Sequence, residues 1–131
     1  SGLFSLITQI YQINNIESLI DHVYGKGVNP AEIAPLVIKM AEDKDSLCLG
    51  IIDSAVDDLM ALLNSVKNRL RMTKPSVSLM GGLLSSVNYY SSAIRKRLIE
   101  DRIGFSLTDA LFSPEMGAVI YLRNILAEKN E

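Results

Sequence analysis

Few residues of this chain have the type and spacing to do covalent chemistry. His22 is the one histidine and Cys48 the one cysteine. A Ser-His-Asp arrangement would have to use His22, yet no Gly-x-Ser-x-Gly elbow presents a nucleophile to it. One Cys and one His supply no recurring ligand pair for a metal. Cys48 falls on an apolar helical stretch, where a thiol packs rather than reacts. The carboxylates Asp53, Asp57 and Asp58 are the best case for a cation. Asp53 and Asp57 are one helical turn apart and share a face, but that face lies opposite the apolar stripe, so it reads as solvated. The cations Lys67, Arg69, Arg71 and Lys74, and again Arg95, Lys96 and Arg97, cluster near helix ends, where positive charge complements the helix dipole. No catalytic residue and no metal ligand is assigned. What remains is Gly81-Gly82 after the run Ser76-Val-Ser-Leu-Met80, with Leu83, Leu84, Ser85 and Ser86 following. Bare backbone at such a turn lets a ligand lie close, although the turn itself also calls for glycine angles.

These residues need elements to hold them. The chain has 131 residues, one domain's worth, and 48% hydrophobic composition is enough for an ordinary core. With 13 basic and 15 acidic residues the net charge is −2. That balance gives no nucleic-acid footprint, which needs a basic face. No run approaches the roughly 18 apolar residues of a membrane span. A single cysteine fits a reducing, cytoplasmic setting.

The apolar period is helical over most of the chain. It predicts helices over 3–13, 16–24 (capped by Asn15 and stopped by Gly25-Lys26-Gly27), and from Asn29-Pro30 to Glu42. Ile16, Leu19, Ile20 and Val23 should line one side of the second. In the third, Ile33, Leu36, Val37 and Met40 should be buried, and Pro35 is tolerated if the helix proper begins near Glu32. Asp43-Lys44-Asp45-Ser46 supplies capping residues for a long helix over 47–71. The period then changes. Residues 76–80 alternate like a strand. A helix follows from Asn88 to Glu100, then a short strand over 105–108. Ser113-Pro114-Glu115 opens a last helix to Glu128, with Gly117-Ala118 as a bare patch. The fold class is thus α/β and helix-rich: a helical segment over 1–75, then strand-helix-strand-helix over 76–131. Two strands make a poor sheet alone, so the sequence reads as the C-terminal piece of a longer chain.

In order and spacing, Ser76-Val-Ser-Leu-Met-Gly-Gly-Leu-Leu-Ser-Ser86, the next helix, and Ser113-Pro-Glu-Met-Gly-Ala-Val-Ile120 resemble the tail of the BadF/BadG/BcrA/BcrD-type ATPases. That family includes N-acetylglucosamine kinase and belongs with actin, hexokinase and the heat-shock chaperones. Ile16 to Tyr24 and Ala31 to Val37 are similar to the helical segment these proteins carry upstream. The resemblance implies an actin-like (ribonuclease H-like) lobe and ATP with Mg2+ as cofactors. Gly81, Gly82, Leu83, Ser85 and Ser86 would sit at the adenosine, and Gly117 and Ala118 at the crossing of the two lobes. It also implies a parent enzyme, an ATP-dependent sugar kinase, whose phosphate loops and catalytic base are not in this sequence. The piece alone is then expected to be inactive. A related ATPase that activates a partner enzyme is the alternative within the fold. A helical protein-interaction domain without catalysis is the alternative outside it. Severed sheet edges would also allow two copies to pair.

Overall fold

A computed structural model describes residues 2–26, 29–100 and 104–128. It is helix-rich, with helices α1 (Gly2–Ile10), α2 (Ile16–Ile20), α3 (Pro30–Glu42), α4 (Ser46–Leu70), α5 (Gly82–Ser85), α6 (Tyr89–Glu100) and α7 (Pro114–Glu128). Two short strands, β1 (Ser76–Val77) and β2 (Ser106–Leu107), pair in parallel, with Ser76 opposite Ser106 and Val77 opposite Leu107.

Helix α4 is the axis of the molecule. Its buried residues are Cys48, Ile52, Val56 and Met60, one every fourth position, a single row along a 3.6-residue helix. Val37, Ile38 and Ala41 of α3 join the same core, as do Ile94 and Leu98 of α6 and Phe105 just before β2. The ends of α4 are fixed locally. The Asp45 carboxylate accepts from the Leu47 and Cys48 amides, each at 3.1 Å. Arg71 ends the helix in the left-handed conformation at φ 53°, ψ 35°. Helix α6 is capped reciprocally: Asn88 Oδ1 accepts from the Ser91 amide at 2.9 Å, and Ser91 Oγ accepts from the Asn88 amide at 3.1 Å. Ser91 is the one buried polar residue described, and its hydroxyl donates to the Ser86 carbonyl at 2.7 Å.

Several sequence expectations change. The first helix stops at Ile10, with Gln12 left-handed at φ 52°, so the apolar period runs past the real end. The second is capped by Asn15 as expected but is α-helical only to Ile20, then π-helical over Asp21–Lys26; Gly27 lies outside the described residues. Ile16, Leu19, Ile20 and Val23 are all exposed, because no described element covers them. Helix α3 begins at Pro30 rather than Glu32, which leaves Pro35 inside it. Pro35 offers no amide to the Ala31 carbonyl, but Ala31 is exposed and water can take that bond. The α3 stripe is also rotated: Val37, Ile38 and Ala41 are buried, while Ile33, Leu36 and Met40 are half-buried. Both strands are two residues long, and the one-turn helix α5 is additional.

The core makes two measurable demands. Ile94 is fully buried, so Ile94→Ala should cost about 2–5 kcal/mol in urea unfolding, while exposed Val66→Ala should stay within about 0.5 kcal/mol. The Cys48 amide, with help from the Leu47 and Gly2 amides, holds the Asp45 carboxyl below its ordinary value. A depressed folded pKa contributes stability that is present above the unfolded value, about 3.9, and is lost as pH falls through the folded one. Asp45→Asn, which still caps but does not titrate, should flatten the acid limb of the stability–pH curve below about pH 4.

Candidate functional site

Both strands point their C-terminal ends at one place. The Ser106 amide donates to the Pro75 carbonyl and the Thr108 amide to the Val77 carbonyl, each at 3.0 Å, which fixes the parallel register. Past that ladder Ser78 Oγ and Thr108 Oγ1 lie 3.3 Å apart. Val77 and Leu79 are half-buried against the core while Ser76, Ser78 and Met80 are exposed, the period-2 alternation of extended chain. In open α/β sheets the C-terminal ends of parallel strands are where ligands sit.

The chain leaves β1 through Gly81, which has φ 91° and ψ 165°. That is backbone territory essentially reserved for glycine. The Gly81 carbonyl then accepts from the Leu84 amide at 3.2 Å, the Ser85 amide at 2.9 Å and the Ser85 hydroxyl at 2.6 Å. Gly82 needs no unusual angle, and a Cβ added to Gly81 or to Gly82 would meet no described atom within 4 Å. The glycine pair therefore faces open space rather than a packed neighbour.

An open cavity of about 520 Å³ covers this turn. Leu79, Met80, Gly81, Gly82 and Ser85 form one wall, and Ala110 to Pro114, the loop between β2 and α7, form the other. Among the described residues no charged side chain lines it. An adjoining hollow of about 500 Å³ runs along the exposed sheet face, bordered by Ser76, Ser78, Thr108, Asp109 and Gly117. In the first turn of α7 the Glu115 carboxyl, which lines neither space, is held below its ordinary value, first by the Ser113 hydroxyl and then by its own amide. Negative charge thus already occupies the start of α7.

Of the residues singled out in sequence, Gly81, Gly82 and Ser85 meet at this cavity. Leu83 turns away, into an apolar crevice of about 240 Å³ with Val37, Ile51 and Tyr90. The Ser86 hydroxyl donates to the Gly82 carbonyl at 2.9 Å and accepts from Asn88 Nδ2 at 3.0 Å, a joint between α5 and α6. Gly117 borders the adjoining hollow, and Ala118 lines neither. No protein-family model, curated protein or solved structure matches this chain. Its site is defined by its own geometry.

Sequence reasoning missed the second wall. Leu111 is 90% exposed and Phe112 56%, an unusual pair to leave in water next to a cavity. The signal was present as an apolar Ala-Leu-Phe run between a strand end and a Ser-Pro helix start. Elsewhere Asp53 and Asp57 are exposed as read, but their face does not lie opposite the apolar stripe: Asp57 pairs at 2.5 Å with Arg97 of α6, the helix that packs on that stripe. Among the described residues no group of three His, Cys, Asp or Glu could hold a metal ion, and no helix is long and apolar enough to cross a membrane. Cys48 is fully buried, and burial raises its thiol above the ordinary value.

The two glycines should separate in stability measurements. Gly81→Ala forces a side chain into glycine-only angles and should cost about 1–3 kcal/mol of unfolding free energy. Gly82→Ala has room and ordinary angles, so its unfolding midpoint should match the wild type to within about 0.5 kcal/mol.

Proposed function

We propose that this chain is the adenosine-gripping C-terminal part of an ATP-dependent phosphotransferase of the BadF/BadG kind, with an actin-like lobe, and that the parent protein phosphorylates an N-acetylglucosamine-like sugar hydroxyl. The observation that carries the reading is the uncharged cavity over Gly81-Gly82 at the C-terminal ends of two parallel strands. Bare glycine backbone lets a flat base and a ribose approach closely, and a neutral lining suits them. Ser85 keeps its hydroxyl oxygen as an acceptor for a ribose hydroxyl, since its proton goes to the Gly81 carbonyl.

Helix α7 supports the same reading. It is apolar around most of its circumference yet buries none of its side chains, with Met116, Val119 and Leu122 at least half exposed. A helix of that composition belongs inside a larger assembly. In the proposed parent it crosses a helix of the other lobe at Gly117 and Ala118. The sheet argues likewise, because parallel sheets of two short strands do not stand alone.

Phosphoryl transfer needs positioned phosphates and a metal. In this reading ATP is held jointly, Mg2+ and the catalytic base come with the other lobe, and this chain alone does not turn over. Cys48, the chain's one cysteine, is buried and gives no interface thiolate to the alternative of a partner-activating ATPase with a cluster at its subunit contact. One observation favours a plain interaction domain instead: Phe4, Ile16 and Tyr24 are 65%, 75% and 85% exposed on the helical segment.

Titrating the chain with ADP by amide NMR decides between them. The nucleotide reading expects shifts confined to residues 79–86 and 110–114, and Gly82→Ala, its fold intact, should weaken ADP by roughly 1–3 kcal/mol through overpacking. Shifts that are absent, or spread over α1 and α2, would sink it. For the parent protein the matching assay is ATP turnover over a panel of amino and neutral sugars.

A further inference from the structure

Among the described residues the cavity over Gly81-Gly82 has no cation in its lining, and its second wall carries two exposed apolar side chains, Leu111 and Phe112. Those two facts orient a ligand. Among the described residues a phosphate would find no Lys or Arg in the lining, and toward the adjoining hollow it would meet the carboxylate of Asp109. The uncharged end of a nucleotide is the end that fits.

We propose that the loop after β2 is the base platform of the site: the purine lies against the face of Phe112, with Leu111 at its edge, and its sugar runs over Gly81-Gly82 so that the phosphates leave the cavity away from Asp109. This rests on the nucleotide reading above and adds to it a residue that sets which ligand binds. Base–aromatic stacking contributes enough that losing the ring weakens binding by about five- to a hundredfold. Phe112 is 56% exposed and outside the core, so its removal leaves the fold standing.

The experiment compares wild type, Phe112→Ala and Phe112→Tyr in the full chain, titrated with adenosine, ADP and ribose 5-phosphate by amide NMR, with thermal unfolding as the fold control. The wild type should bind adenosine and ADP within about threefold of each other, because the lining offers the phosphates nothing, and ribose 5-phosphate should leave the cavity signals unmoved. Phe112→Ala should weaken adenosine by about tenfold or more, and Phe112→Tyr should restore it to within about threefold. Wild type that binds adenosine as tightly as Phe112→Ala does overturns the platform and leaves the nucleotide site standing. Ribose 5-phosphate that binds as well as ADP reverses the orientation and also overturns it. No binding of adenosine or ADP by the wild type removes both the site and this inference.

Discussion

Everything in this chain is arranged around one seam. The row of α4 from Cys48 to Met60 is withdrawn from water between α3 on one side and α6 on the other. A row spaced by four drifts slowly around a helix, so it meets its neighbours along a slanted line and accepts two of them at once. Burying those side chains is the main favourable term, since the chain has little sheet and no disulfide to add. Helix α6 is therefore the link between core and site: its inner face seals the seam, and its capping residues hold the glycine turn. The site inherits its rigidity from the same apolar contacts that fold the helical half.

The parts of this fold that sequence reveals are the ones whose physics is local. Helix starts were legible because a cap is a nearby side chain bonding a nearby amide, as at Asn15, Asn29, Asp45 and Asn88. Burial was less legible, because it depends on which neighbour arrives. Ile16, Leu19 and Ile20 have the spacing of a core face and stay exposed, and the α3 stripe turned by one residue to meet α4. Strand length was over-read for a related reason. Alternation over residues 76–80 persists into extended chain past the point where β2 offers hydrogen bonds.

The site divided along the same line. Gly81 could be found from sequence because its angles are a property of its own backbone. Phe112 could not, since its relation to Gly81 exists only after β1 and β2 pair and bring their ends together. Leu83 and Ser86 were drawn toward the cavity by adjacency in sequence. One turn of α5 is enough to aim them elsewhere, Leu83 into the crevice beside Tyr90 and Ser86 into the joint with Asn88.

That joint is made by two side chains of α6's cap, Ser91, whose hydroxyl donates to the Ser86 carbonyl, and Asn88. Asn88 uses both of its ends: Oδ1 accepts from the Ser91 amide, while Nδ2 donates to the Leu83 carbonyl at 2.7 Å and to Ser86. Aspartate has the same shape but only acceptors, so it would keep the helix cap and lose the bonds to the Leu83 and Ser86 carbonyls. Hydrolytic loss of ammonia from asparagine is ordinary chemical ageing of proteins, and at Asn88 it would strip the Leu83 and Ser86 carbonyls of one donor while leaving the Ser91 bond and the hydrophobic seam in place. Ageing at that one side chain would thus loosen the approach to the cavity without opening the core.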